Sequence, residues 1–183
     1  DYVFDSICRV FDSANIEYVK WDMNRSIADV YSAVQERDRG KLRRCGNTQD
    51  GGDIQAKSTM NPGKIMYHYV LGLYDFLERL TKRYPDMLIE GCSGGGGRFD
   101  AGMLYYTPQI WCSDNTDAID RIRIQYGTSF GFPVSSVGSH VSACPNHQTG
   151  RRVSMETRGV VAMAGSFGYE LDPGQLTAKE KAC

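Results

Sequence analysis

Five short runs rich in β-branched, aromatic or other apolar residues recur along this chain, at residues 16–22, 87–90, 109–114, 133–137 and 166–171, and stretches with helical spacing separate them. Strands joined through helices pair in parallel, because the crossover returns the chain to the same end of the sheet. The alternation therefore predicts an α/β fold with a parallel sheet. Glycine supports this over a helix bundle: 20 glycines in 183 residues exceed the usual share of about 7% and point to tight turns and close backbone approaches.

The helical stretches differ in how clearly they are bounded. In residues 2–14 the side chains of Val3, Phe4, Ile7, Cys8, Val10, Phe11 and Ala14 recur at helical spacing with no capping signal of their own, so the chain is expected to start inside or just before a helix. Residues 64–83 place Ile65, Met66, Tyr69, Val70, Leu73, Phe76, Leu77 and Leu80 on one stripe and Asp75, Glu78, Arg79 and Lys82 opposite. Asn61-Pro62 suits the start of that helix and Pro85 stops it. Further helices are expected near residues 99–106, 118–126 and 153–163. The polar, glycine-rich stretch before Asn61 reads as a long surface insertion, with residues 33–57 its extra material.

Charge and cysteine usage narrow the class. Lys+Arg number 21 against Asp+Glu 22, a net charge of -1, which lacks the basic excess a phosphate backbone demands and argues against nucleic acid as a partner. No run of about 18 apolar residues occurs and the first residues do not resemble a signal peptide, so neither a membrane nor secretion is expected. Six scattered cysteines without a Cys-x-x-Cys pair read as reduced thiols of a cytoplasmic protein. His140, Cys144 and His147 could approach a zinc ion, but their spacing matches no common ligand pattern, and no metal or cofactor is expected.

Chemistry is suggested by acids. Asp22, Glu90, Asp114 and Asp172 fall at or near the C-terminal ends of predicted strands, where (β/α)8 barrels hold their active sites. An acid there can instead cap the following helix. Lys20 shares a strand face with Asp22 and would hold its carboxylate ionised, whereas Asn115-Thr116-Asp117 makes Asp114 an equally good cap. The run Gly94-Gly95-Gly96-Gly97 lacks the Lys-Ser/Thr of a P-loop and the register of a dinucleotide fingerprint. It either lets backbone amides approach a ligand or simply makes the turn. From the residues alone the reading stops at a barrel enzyme with acid–base chemistry.

Three blocks then carry a resemblance: Tyr18-Val19-Lys20-Trp21-Asp22-Met23-Asn24-Arg25; Glu90-Gly91-Cys92-Ser93-Gly94-Gly95-Gly96-Gly97-Arg98-Phe99-Asp100; and Trp111-Cys112-Ser113-Asp114-Asn115-Thr116-Asp117-Ala118-Ile119-Asp120-Arg121. Together, and in this order, they resemble the signature blocks of the α-galactosidases of glycoside hydrolase family 36. The likeness continues through Gly131-Phe132-Pro133 and residues 165–172. It implies a partial (β/α)8 TIM barrel, from the third barrel helix to just beyond strand eight, with the family's flanking β-domains outside this chain. It further implies that Asp22, ending strand four, is the nucleophile and Asp114, ending strand six, the general acid/base. Lys20 would contact galactose hydroxyls, Cys92, Gly95 and Arg98 would belong to the loop lining the sugar pocket, and Trp21 would help wall it. Asn24 and Arg25 would support the motif, and Asp117 and Asp120 are left to capping and salt bridging.

The activity so implied is that of a retaining exo-α-galactosidase on melibiose- and raffinose-type oligosaccharides, homo-oligomeric when complete. An α-N-acetylgalactosaminidase or a galactosyl transferase on the same scaffold are alternatives, as is a non-catalytic sugar-binding remnant. A family 31 α-glucosidase is disfavoured by the Cys-x-x-Gly loop and by Ser113-Asp114-Asn115-Thr116-Asp117. Five strands alone would leave a barrel open and the isolated segment inactive.

Overall fold

The computed structural model describes residues 1–23 and 62–182, so the expected insertion at 33–57, with Asn24 and Arg25, lies outside the described residues. The chain divides into two compact units, residues 1–25 with 81–183, and residues 26–80. The described part of the second unit belongs to helix α2, Pro62–Arg83, which starts at the proline as expected. Leu77 and Leu80 of its apolar stripe are buried, while Asp75 on the polar side is exposed and pairs with Arg79 at 3.7 Å.

The first unit holds a five-stranded, wholly parallel sheet of β1 (Tyr18–Asp22), β2 (Leu88–Cys92), β3 (Gln109–Trp111), β4 (Val137–Ser142) and β5 (Ser166–Glu170), paired in chain order. Helices α3 (Ala101–Tyr106), α4 (Ala118–Thr128) and α5 (Met155–Ala162) intervene between strands, α1 (Tyr2–Phe11) precedes β1 and the short α6 (Ala178–Lys181) follows β5. Each of α3, α4 and α5 begins on a side chain that accepts a backbone N–H its first turn would leave orphaned. Asp100 accepts from Met103 at 2.9 Å, Asp117 from Ile119 and Asp120 at 2.9 and 3.1 Å, and Ser154 from Thr157 at 3.2 Å. On the outer side of β4, Val137 and Val141 are buried, and Ser139 donates to Gln125 of α4 at 2.8 Å. Gln125 in turn donates to the Val161 carbonyl of α5 at 3.0 Å, so the helices are tied to the sheet and to each other.

The sheet is curled. Although β1 and β5 are its two edges, Lys20 of β1 reaches Glu170 of β5 at 3.2 Å across the concave side. A flat sheet spaces adjacent strands about 4.8 Å apart, which would hold these edges far beyond side-chain reach. Such curvature is that of a partly closed barrel: five strands of a (β/α)8 architecture forming a half-barrel.

Two expectations need correction. The fourth strand is not residues 133–137: Val134–Ser136 form a 3-10 turn and the strand is Val137–Ser142. Its inward positions carry Gly138, His140 and Ser142, which face a charged barrel interior and so display no apolar alternation. Glu90 is not at a strand end, and Asp172, two residues beyond β5, acts as a cap. Glu90 lies mid-strand with no exposed surface, and Asp172 caps the 3-10 turn Pro173–Gln175 by accepting from Gly174 at 2.8 Å. Among the described residues no helix is long and apolar enough to cross a membrane, and no group of three His, Cys, Asp or Glu side chains is placed to hold a metal.

Candidate active site

The C-terminal ends of β1, β2 and β3 bring the sequence candidates together. Because β1 and β2 pair in register, Lys20 lies opposite Glu90 and Asp22 opposite Cys92, all four on the concave face. Cys92 is buried, with the Asp22 carboxylate and the Gly95 backbone as its electrostatic neighbours. Burial pushes the thiol's pKa up, and the Asp22 charge adds to this, so the group remains a neutral thiol. Trp21 sits between Lys20 and Asp22 and therefore on the opposite side of the strand.

The glycine run makes a specific turn. Gly94, Gly95 and Gly96 take φ of 55°, 71° and 98°, the left-handed region where a Cβ is penalised. The loop thereby folds onto the end of β3: a Cβ at Gly95 would stand 2.4 Å from the backbone nitrogen of Asp114, and one at Gly96 would stand 2.8 Å from the Cys112 carbonyl oxygen. Glycine is thus required here for both conformation and space. Arg98 closes the turn, donating to the Met23 carbonyl at 2.9 Å and to Ser93 at 2.6 Å, which fastens the segment after β1 to the loop after β2.

Asp114 is exposed, three residues beyond the end of β3. The competing capping role belongs to another residue, Asp117, which has no exposed surface, caps α4, accepts from Thr149 at 2.6 Å and pairs with Arg151. Asp120 takes a hydrogen bond from Asn115 at 3.0 Å and an ion pair from Arg151 at 3.3 Å. Beneath this segment the buried Arg121 donates to the carbonyls of Ser113 at 3.1 Å and Gly138 at 2.6 Å, with its guanidinium 4.3 Å from the centre of the Trp111 ring. Nothing in the sequence pattern distinguishes Arg121 from an exposed helical arginine.

Below the strand ends lies a charged layer that sequence reasoning missed, apart from Lys20 and Glu90. Lys20 is 3.2 Å from Glu170 and 3.9 Å from Glu90, and its ammonium lies 4.4 Å from the centre of the Trp111 ring. His140 stands between the same two carboxylates, at 3.2 Å from Glu90 and 3.4 Å from Glu170, and stacks on Trp111 at 4.7 Å. Tyr18 and Gln109 both donate to Glu90. Burial disfavours the imidazolium, but its hydrogen bonds to Glu170 and Glu90 outweigh this and raise the His140 pKa. The His140 and Lys20 cations hold Glu170 at about 2, below its ordinary 4.5. Glu90 is likewise lowered, its burial overcome by His140 and Tyr18. His140, whose spacing to Cys144 and His147 fits no common zinc pattern, is an interior ion-pair residue.

A cavity of about 380 Å³ opens on the concave side, lined by Tyr18, Lys20, Gln109, His140, Phe167 and Glu170 among others. It sits over the charged layer and not over Asp22 and Asp114, so its size does not mark the chemistry. It is the interior of an unclosed sheet, which a complete barrel fills with side chains.

Comparison with known proteins places these features. The sequence pattern of the Melibiase family matches residues 47–183. The bifunctional alpha-galactosidase/sucrose kinase AgaSK of Mediterraneibacter gnavus is 61% identical over 181 residues, covering 99% of this chain and 16% of that protein. Alpha-galactosidase AgaA of Geobacillus stearothermophilus is 49% identical over 181 residues, covering 99% of this chain and 22% of its own length. In three dimensions the chain is similar to the galactosidase domain of AgaSK, with TM-score 0.78, 61% identity and coverage of 98% of this chain and 21% of that one. It is similar also to a variant of the glycoside hydrolase family 36 enzyme AgaA in complex with raffinose, with TM-score 0.81, 48% identity and coverage of 100% and 22%. The chain spans about a fifth of the length of these relatives.

Proposed function

Since the chain belongs to the Melibiase family, we propose that it supplies strands four to eight of the catalytic barrel of a retaining exo-α-galactosidase. The observation that carries this reading is the meeting of Asp22, Cys92 and the Asp114 segment at adjacent strand ends, with Gly95 packed against Asp114. In this mechanism an Asp22 carboxylate oxygen attacks the anomeric carbon as the glycosidic C–O bond breaks, and the leaving oxygen takes the proton of Asp114. Asp114, now a carboxylate, removes a proton from water. That water attacks the same carbon and displaces Asp22, returning both groups to their starting state. Retention requires the two carboxyl groups to stand about 5–5.5 Å apart. Cys92, held as a neutral thiol opposite Asp22, adds no second negative charge beside the nucleophile, and Lys20 and Arg98 line the approach to it.

Raffinose-type sugars are the proposed substrates, because similar family 36 structures are complexes with raffinose and stachyose. The test uses a complete barrel containing residues 1–183, with melibiose, raffinose and the corresponding N-acetylgalactosaminide as donors. Release of galactose with the α-configuration from the first two supports the reading. Asp22→Asn should abolish turnover, since an amide does not form the ester intermediate, and Asp114→Ala should slow melibiose far more than an aryl galactoside with a good leaving group. Near-normal turnover of Asp22→Asn would remove it from the nucleophile role.

A further inference from the structure

The loop after β4 reaches across the sheet to the segment that carries Asp114. Within it the buried Asn146 accepts the backbone N–H groups of Gln148 at 2.9 Å and Thr149 at 3.0 Å, which folds the loop into a tight turn. Four side chains of this loop, Gln148 among them, grip residues 116–117: Asn146 donates to Thr116 at 2.9 Å, Thr149 to Asp117 at 2.6 Å, Arg151 pairs with Asp117, and Gln148 holds the Thr116 backbone. Gln148 alone among them touches Asp114. Its amide nitrogen donates to the Asp114 carbonyl at 3.0 Å, and its amide oxygen accepts the Thr116 N–H at 3.0 Å.

That geometry substitutes for a strand partner. The pairing of β3 with β4 ends at Trp111 opposite Gly138, so residues 112–117 continue beyond the ladder. The Gln148 carboxamide pairs the C=O and N–H that a neighbouring strand would otherwise take, two residues apart on one side. Gly95 closes on the Asp114 nitrogen. The backbone on both sides of the Asp114 Cα is therefore fixed, by one loop through van der Waals contact and by the other through hydrogen bonds.

From this we infer that Gln148 is a positioning residue for Asp114, holding the backbone from which the acid/base carboxylate projects. The inference rests on the reading of Asp114 as acid/base. Gln148 is exposed, so its loss should leave the fold largely intact and act on placement. A displacement of about 1 Å at a reacting group is worth about 10²-fold in rate, and a loosened segment still held at Thr116 and Asp117 should lose about tenfold.

The experiment compares Gln148→Ala, Gln148→Met, Asp114→Ala and the double variant Gln148→Ala/Asp114→Ala in the complete barrel. Melibiose, whose leaving group needs a proton, is set against 2,4-dinitrophenyl α-galactoside, whose leaving group does not. Expected for Gln148→Ala is a loss in kcat/KM of about tenfold on melibiose and under threefold on the dinitrophenyl substrate, with no further loss when it is added to Asp114→Ala. Gln148→Met keeps side-chain length and should behave like Gln148→Ala, which guards against misfolding of the smaller variant. Equal losses on both substrates, or no loss on either, would overturn the inference while leaving Asp114 in its role. If Asp114→Ala itself failed to discriminate between the substrates, the acid/base reading would fall, and the inference with it.

Discussion

Replacing Gly95 by alanine probes the turn that meets Asp114 with the smallest possible change. The backbone there has φ +71°, and the added Cβ would lie 2.4 Å from the Asp114 nitrogen and 3.0 Å from two Ser113 backbone atoms. The left-handed conformation itself costs an alanine about 1–2 kcal/mol. Opening the closest contact to an ordinary 3.4 Å takes about 1 Å of movement, and the neighbour is main chain, which gives way only by shifting the segment that carries Asp114. A misplacement of that size lowers the rate about 10²-fold, equivalent to about 2.7 kcal/mol in the barrier. The measurement is kcat for Gly95→Ala on melibiose in the complete barrel, beside its thermal unfolding midpoint. Gly127→Ala in α4 is the matched control, since no heavy atom lies within 4 Å of its added methyl, and it should gain about 0.5–1 kcal/mol in stability with unchanged turnover. A Gly95→Ala enzyme turning over within threefold of its parent would refute the claim that this glycine fixes the position of Asp114.

Asp117→Ala removes a buried helix cap together with the partner of Thr149 and Arg151, and should destabilise by about 2–3 kcal/mol; an unfolding free energy within 0.5 kcal/mol of the parent would contradict it. The interior ion pairs give stability two limits in pH. His140, raised above its ordinary 6.5, contributes fully below that value and ceases as pH rises through its folded pKa. Glu170, held at about 2, contributes above 4.5 and ceases as pH falls from there towards 2. Urea midpoints across pH should therefore fall on both sides, and His140→Gln should flatten the alkaline fall; an alkaline limb identical in the variant would exclude His140 as its source. Lys20→Met should raise the inhibition constant of free galactose as well as slow turnover, and an unchanged constant would show that its ammonium does not reach the sugar. Residues 1–183 expressed alone should show no turnover of an aryl α-galactoside above an Asp22→Asn blank, because β1 and β5 are unpaired edges; a soluble, active monomer would overturn this.

The legibility of the sequence tracked which side of each strand carried the apolar residues. The sequence reading of β1 and β2 lies within two residues of their bounds because Val19 stands among β-branched and aromatic neighbours and Ile89 ends the apolar run Met87-Leu88-Ile89. By contrast β4 was displaced, since half of its side chains face charge, and two glycines there and in β5 are shaped by residues distant in sequence. A Cβ at Gly138 would stand 3.3 Å from a Glu90 oxygen, and one at Gly168 would stand 2.7 Å from the His140 ring. Each glycine makes room for a buried charged or aromatic group on the neighbouring side, a requirement no local pattern expresses. The ambiguity over Asp114 was of another kind. Two aspartates three residues apart both suit a cap, and only the burial of Asp117 with its four partners resolves which one does it.

The same interior layer changes how Lys20 must be understood. Spacing alone assigns its charge to Asp22, two residues along the strand, yet the ammonium rests on Glu170 and Glu90. With His140 protonated, two cations face two carboxylates, and Tyr18 and Gln109 add hydrogen bonds to Glu90. Lys20 is thereby held as a fixed positive centre on the strand that carries Asp22. Loss of the His140 proton removes one cation from the pair of carboxylates that also hold Lys20. Curvature makes this arrangement possible, because Lys20 and Glu170 come from the first and last strands of the sheet. Fold and candidate site are therefore coupled through charge: the ion pair that spans the half-barrel also sets where the Lys20 ammonium, two residues from Asp22, resides.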